Sequence, residues 1–258
     1  MHSRKTRSRK TVVSASRHEE MITEAWEFSR RNNALIPNVF GDAPVICSPH
    51  DLGGKDFGTT YTFGSYGGLR YAESLFRTNM RELSKIAGKS DIDLQGITSG
   101  GRAAVWGFGL NHFELEHTQR KFRGLDRVYG IEPRGTPINT ALQLLTEGCL
   151  RKIVFVQSDA TDLRWGIPDD YVNLNILNHL LTTNNMDHPT VQGILGEAAR
   201  ISHPRSLTAV IDMAPTGHSP PITQDVEDRL SKAGFTTIHQ SKHMYLGSPN
   251  IGEILKRK

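Results

Sequence analysis

At 258 residues the chain is long enough to bury a sizeable core, and it suits one α/β domain with extensions better than two full domains. With 37% hydrophobic and 22% charged residues, and no run near the roughly 18 apolar residues of a membrane span, it reads as a soluble protein rather than a membrane-embedded one. The formal charge of +4 is carried by an arm: five of the 31 lysines and arginines (Arg4, Lys5, Arg7, Arg9, Lys10) fall in the first ten residues, and the remainder carries 26 basic against 27 acidic groups.

No apolar signal-type segment follows the arm, so a cytoplasmic, non-secreted location is expected. Cys47 and Cys149 form neither a metal spacing nor a redox pair and read as buried free thiols. Residues 17–31 place Met21, Ile22, Ala25, Trp26 and Phe28 among charges, a pattern for an amphipathic helix packed on the body. The stretch from Asp51 to Gly68 holds six glycines and suggests a short strand at 59–63 leading into a Gly-rich turn. Leu69, Ala72, Leu75, Phe76, Met80, Leu83, Ile86 and Ala87 keep a helical period that Gly88 ends. Strands are expected at 91–98, 103–108 and 125–131, the first two joined by the turn Thr98-Ser-Gly-Gly101.

A helix over 138–149 then precedes the strand Ile153–Gln157, whose lack of alternation fits a central parallel strand buried on both faces. Helices at 171–181 and 190–201, a strand at 207–213, a helix at 223–233, a strand at 236–239 and a closing helix at 251–256 complete the reading. Repeated strand and helix alternation predicts a doubly wound, mostly parallel sheet with helices on both faces. The chain divides into a basic flexible arm (1–16), a helix with a Gly/Pro-rich extension (17–56) and an α/β domain (57–258).

The loop Gly135-Thr136-Pro137 with its helix, and the strand Val154-Phe-Val-Gln-Ser-Asp159, bring a hydroxyl and an acid to the carboxyl ends of strands. With the run from Leu230 to Leu255, they resemble the von Willebrand factor type A domain over residues 57–256. That resemblance implies a metal-ion-dependent adhesion site of Ser65, Thr136 and Asp159. The family's acidic turn is replaced here by Tyr61-Thr-Phe-Gly-Ser-Tyr-Gly-Gly68, which keeps Ser65 but loses the leading aspartate to Tyr61. Mg²⁺ prefers octahedral oxygen ligation that includes carboxylate. The resemblance therefore implies a weak or metal-free site, and no cofactor is expected. A purely structural alternative makes Thr136 a helix N-cap ahead of Pro137 at the first helical position.

Enzyme signatures are sparse. Gly96-Ile-Thr-Ser-Gly100 has its serine one place late for a nucleophile elbow, and none of the eleven histidines is placed by spacing as its partner. Ser99-Gly-Gly-Arg102 suits a phosphate nest but lacks the lysine of a P-loop. Arg120, Lys121, Arg123 and Arg127 surround Phe122, and Arg102 lies near Trp106. Cations interleaved with aromatics suit single-stranded nucleic acid, whose bases stack on rings while its phosphates follow the charges.

The expectation is thus a non-catalytic adaptor, comparable to a phage-type recruiter, that holds single-stranded DNA or RNA through its basic residues. Its body would recruit a protein machine such as a polymerase or an AAA-type assembly. Two alternatives stand beside it: a metal-dependent von Willebrand A module for protein partners or chaperones, and a nucleotide-using enzyme with phosphates at Ser99 to Arg102.

Overall fold

The computed structural model describes residues 11–35, 42–50, 52, 66–109, 111–178, 188–211, 224–241, 244–250 and 254. Its elements run α1 (Ala15–Leu35), β1 (Val45–Cys47), α2 (Tyr66–Lys89), α3 (Leu94–Thr98), β2 (Arg102–Trp106), α4 (Phe113–Lys121), β3 (Arg127–Ile131) and α5 (Gly135–Leu144). There follow α6 (Glu147–Leu150), β4 (Ile153–Gln157), β5 (Val172–Asn178), α7 (His188–Ile201), β6 (Ser202–Ile211), α8 (Gln224–Lys232), β7 (Thr236–Gln240) and β8 (Met244–Ser248). The eight strands make one sheet in the order β1-β4-β3-β2-β5-β6-β8-β7. Among the described strands only β8 runs against its neighbours, pairing antiparallel with both β6 and β7.

The doubly wound architecture expected from the alternation of elements is therefore present. Its physical basis is two separate cores. Ala103, Val105, Val128, Ile153, Phe155, Leu174 and Ile176 point to one face, against Phe76, Met80 and Leu83 of α2, Leu115 of α4 and Ile138 of α5. Ala104, Trp106, Tyr129, Ile131, Val154 and Val156 point to the other, against Ile22 of α1 and Ile194, Leu195 and Ala198 of α7. A sheet buried on both faces needs apolar residues at successive positions, which is why β2 and β4 lack alternation.

Several local expectations give way to stronger interactions. Residues 94–98 are helical rather than extended, because Asp93 caps the turn by accepting the Gly96 N–H at 2.8 Å. Residues 172–178 form β5 instead of a helix. There Asn175 is fully buried but satisfied, donating to Ser202 Oγ at 2.9 Å and accepting the Trp106 indole N–H at 3.0 Å. The helix expected over 138–149 breaks at Leu145 and Thr146, both extended. Arg134, not Thr136, occupies the N-cap position of α5, so Pro137 is its third residue. Strands β1 and β8 and helix α4 were not anticipated. Cys149 is buried as expected, whereas Cys47 is exposed. The strand expected at 59–63 lies outside the described residues, as does the closing helix apart from buried Ile254.

Strand order also sets Asp159, one of the residues that carried the von Willebrand A resemblance, apart from the point where the winding reverses. From β2 the chain steps outward through β3 to β4, then returns to place β5 on the other flank of β2. Doubly wound sheets bind ligands where the winding reverses, here between the carboxyl ends of β2 and β5. Asp159 follows β4, which β3 separates from β2, so the acid expected to anchor an adhesion site stands away from that crevice.

Candidate active site

The loop leaving β2 is Gly107-Phe-Gly109, and both glycines have positive φ, 61° and 51°. This left-handed backbone suits glycine and strains residues that carry a Cβ. The turn is pinned by Gly107 N–H donating to Ile131 O and Asn111 N–H donating to Phe108 O, each at 2.8 Å. It leads directly into α4. Phe108 is buried and lies over Gly130 of β3, where an added Cβ would stand 3.0 Å from Phe108 Cε1 and 3.2 Å from Leu115 Cδ2.

The next strand ends in an acid. Glu132, fully buried just beyond β3, accepts the Gly109 N–H at 3.1 Å through Oε2 and the Arg134 Nε–H at 2.8 Å through Oε1. One carboxylate thereby ties the loop after β2 to the loop after β3. Across the winding reversal, Asn178 closes β5 and donates from Nδ2 to Glu114 Oε1 of α4 at 2.6 Å. Both side chains are buried. Burial pushes the Glu114 carboxyl up to about 8, against the opposing pull of hydrogen bonds from Asn178 and Asn111.

The residues singled out from sequence are scattered relative to this crevice. Arg4, Lys5, Arg7, Arg9, Lys10 and Ser65 lie outside the described residues. Trp106 is fully buried and Phe122 is in the core, so neither ring presents a face to stacking bases. Arg127 pairs with Glu19 of α1 at 2.6 Å, and Arg102 lies 4.0 Å above the Tyr171 ring. Arg120, Lys121 and Arg123 are exposed, and Arg120 pairs with Glu116. Arg120, Arg123 and Lys152 line a cleft of about 330 Å³ with Cys149 and Gly148, at the amino ends of β3 and β4. That is the opposite edge of the sheet from the crevice.

Thr136 is exposed on α5, and Asp159 Oδ1 accepts from Thr161 N–H at 2.9 Å and Thr161 Oγ1 at 2.8 Å. Among the described residues no group of three or more His, Cys, Asp or Glu side chains could hold a metal ion. The Ser99–Arg102 turn precedes β2 and so belongs to the amino edge. Its amides are spent within the fold: Gly100 donates to Gly124 O, Gly101 to Thr98 O and Arg102 to Asn173 Oδ1. A phosphate nest needs those N–H groups free.

At the amino edge α1 makes a separate polar junction with the sheet. Burial lowers the buried His18 imidazole to about 4, while its Nε2 meets the Tyr129 hydroxyl at 3.0 Å. Glu19 accepts from the Tyr171 hydroxyl at 2.5 Å and from Arg127. Burial opposes its charge, but the hydrogen bonds from Arg127 and Tyr171 hold its carboxyl below the usual range.

Gly107, Gly109, Glu132, Glu114 and Asn178 were all missed in the sequence. The signal was present: Gly-x-Gly stands directly after the strand Val105-Trp106, and an acid follows the next strand. Reading residues 103–108 as one strand absorbed the first glycine and hid the loop.

No family model and no curated protein matches the chain. Solved structures with a similar fold include a Methanococcus maripaludis protein described as an S-adenosyl-L-methionine-dependent methyltransferase. It is 15% identical with a TM-score of 0.48, over 74% of this chain and 96% of that one. A SAM-dependent methyltransferase from Aquifex aeolicus is 17% identical at 0.47, over 66% and 96%. The pyocyanin biosynthetic protein PhzM is 12% identical at 0.46, over 58% of this chain and about half (51%) of its own length.

The Methanococcus maripaludis and Aquifex aeolicus structures are described as methyltransferases and not as von Willebrand A domains, which stands against the family expected from sequence. The expectation of a non-catalytic single-stranded DNA adaptor without a cofactor is corrected with it. Two of the similar structures are named for S-adenosylmethionine; in this chain a Gly-x-Gly loop stands beside a buried carboxylate at the crevice. Among the described residues no helix is long and apolar enough to cross a membrane.

Proposed function

We propose that the crevice between β2 and β5 binds an adenosyl nucleoside and that the chain is a methyltransferase using S-adenosylmethionine. The observation that carries this reading is Glu132 at the end of β3, bonded to the Gly107-x-Gly109 loop at the end of β2. In doubly wound sheets a glycine turn after one strand and an acid after the next receive a nucleoside, the acid taking ribose hydroxyls. Here Arg134 occupies Glu132 Oε1, the oxygen a ribose hydroxyl would take in its place.

Charge selects among nucleosides. A dinucleotide rests its pyrophosphate on the positive end of the following helix. In this chain the first turn of α4 carries Glu116, beside a Glu114 carboxyl that burial keeps protonated near neutral pH, and the nearby cation, Arg134, is paired with Glu132. Such a site disfavours phosphate and suits a nucleoside bearing positive charge. S-adenosylmethionine meets that requirement, and when bound it supplies an electrophilic methyl group on a sulfonium. The chain's own part is to orient: Gly107 and Gly109 admit close approach of the ligand, Phe108 and Gly130 fix the loop, and Glu132 aligns the ribose.

Calorimetric titration with S-adenosylhomocysteine, ATP and NAD tests the reading. Binding of S-adenosylhomocysteine in preference to both phosphorylated nucleosides is expected, with a loss of at least about tenfold in Glu132→Gln, or about 1.4 kcal/mol. Tighter binding of either phosphorylated nucleoside would reject it.

A further inference from the structure

The amino edge of the sheet carries a second concavity, remote from the β2/β5 crevice. Two corners wall it: Arg120 and Arg123 where α4 turns into β3, and Thr146, Cys149 and Lys152 where α6 turns into β4. Its volume of about 330 Å³ lies at the lower end of small-ligand sites, which span about 300–1,000 Å³. The corners are fixed to each other. Lys152 donates from Nζ to Leu125 O at 2.9 Å, Val128 N–H donates to Lys152 O at 2.8 Å, and Phe122, Leu125, Cys149 and Leu150 root both walls in one core.

Charge in the cleft is lopsided. Arg120 pairs with Glu116 at 2.6 Å, whereas among the described residues neither Arg123 nor Lys152 has a carboxylate partner. Three cations thus share one acid around a single concavity, and an anion seated there relieves their mutual repulsion. Two guanidinium forks and an ammonium match a phosphate, whose terminal oxygens can be divided among them, better than a carboxylate with two oxygens. The Thr146 hydroxyl makes no capping bond to α6 and adds a neutral donor. The ligand is short. Glu116 and Glu147 stand on the two corners, Glu147 pairing with Arg151 at 2.7 Å, and such acids interrupt the continuous basic track that a nucleic-acid backbone follows.

We propose that the cleft of Arg120, Arg123 and Lys152 binds the phosphate group of a small phosphorylated ligand. Strands of five residues, about 17 Å, separate it from the carboxyl ends where the crevice lies. Its ligand therefore takes no part in chemistry at the crevice, and the site stands whether or not the crevice takes a nucleoside.

The experiment titrates pyrophosphate, acetate and a short single-stranded DNA into the full chain by calorimetry at low salt. The variants are Arg123→Glu and, as a control, Lys121→Glu, which makes the same charge change on an exposed residue outside the cleft. Folding is checked by circular dichroism, and Arg123→Gln serves if the glutamate variant does not fold. Pyrophosphate should bind wild type and Lys121→Glu alike, and at least about tenfold more weakly to Arg123→Glu, with acetate not binding and saturating S-adenosylhomocysteine changing nothing. Absence of pyrophosphate binding, equal losses in the two glutamate variants, or acetate binding as tightly would overturn the site. Displacement of pyrophosphate by S-adenosylhomocysteine would overturn it too, by moving the ligand to the crevice. DNA binding that needs Arg123 and that pyrophosphate does not displace would put a nucleic-acid backbone in place of the small ligand. If S-adenosylhomocysteine does not bind, the nucleoside reading alone fails. ATP held in the cleft is lost in Arg123→Glu, whereas ATP held in the crevice is not.

Discussion

Replacing Glu114 by glutamine should make the protein more stable in alkaline solution and leave it little changed in acid. Burial raises the Glu114 carboxyl from an ordinary 4.5 to about 8, so the folded chain holds this proton more tightly than the unfolded chain does. Stability from this group is full below the unfolded value, is lost as pH rises between 4.5 and about 8, and is flat above that. The difference between those values corresponds to on the order of 5 kcal/mol, a ceiling because local relaxation lets water and donors reach the ion. Glutamine has nearly the same shape, cannot ionise, and retains a carbonyl oxygen to accept the Asn178 N–H. Urea unfolding followed by circular dichroism from about pH 5 to about pH 9 should show the variant gaining on wild type by a few kcal/mol across the interval. Other titrating groups are common to both proteins and cancel in the difference. A difference that stays constant with pH, or a variant weaker than wild type at the alkaline end, would refute the reasoning.

His18 gives the opposite slope. Its imidazole is held neutral, at about 4 instead of 6.5, so its contribution is present above the unfolded value and is lost as pH falls from 6.5 towards about 4. His18→Phe should flatten acid unfolding in that window, read from the midpoint of a pH titration of the circular dichroism signal. Gly130→Ala drives a Cβ to 3.0 Å from Phe108 Cε1 and 3.3 Å from Leu115 Cδ1. It should cost roughly 1–3 kcal/mol in urea unfolding. It should also weaken S-adenosylhomocysteine binding by displacing the Gly107-x-Gly109 loop.

The sequence disclosed the sheet more readily than the crevice. β4 announced itself because Ile153-Val-Phe-Val is apolar on both faces, and α2 because its buried residues recur at helical spacing. β5 was hidden by its asparagines, which weigh against a strand. Asn175 is tolerated only because Trp106 and Ser202, distant in sequence, satisfy its amide. Residues 94–98 were misread for a local reason: the Asp93 cap outweighs the extended preference of the isoleucines. Basic residues near aromatics could not reveal that Phe122 and Trp106 are core residues, since burial is decided by elements far along the chain. Glu132 was legible as an acid after a strand, but its role depends on which strand lies beside β2, and strand order is a property of the whole sheet.

The junction that α1 makes with the sheet has a consequence for when that helix becomes ordered. Glu19 bonds Tyr171, 152 residues later, and Ile22 packs in a cluster completed by α7. A helix of this kind has little to stabilise it in isolation. During synthesis the partners of α1 emerge on the order of ten seconds after it does. Until then the junction lacks its Tyr171 hydrogen bond and the α7 side of its cluster, so complete docking of the helix comes late in folding. Pulse-labelled hydrogen exchange during refolding should find the amides of α1 protected after those of β2, β3 and β4. Equal protection times would mean that the helix is held by something other than the sheet.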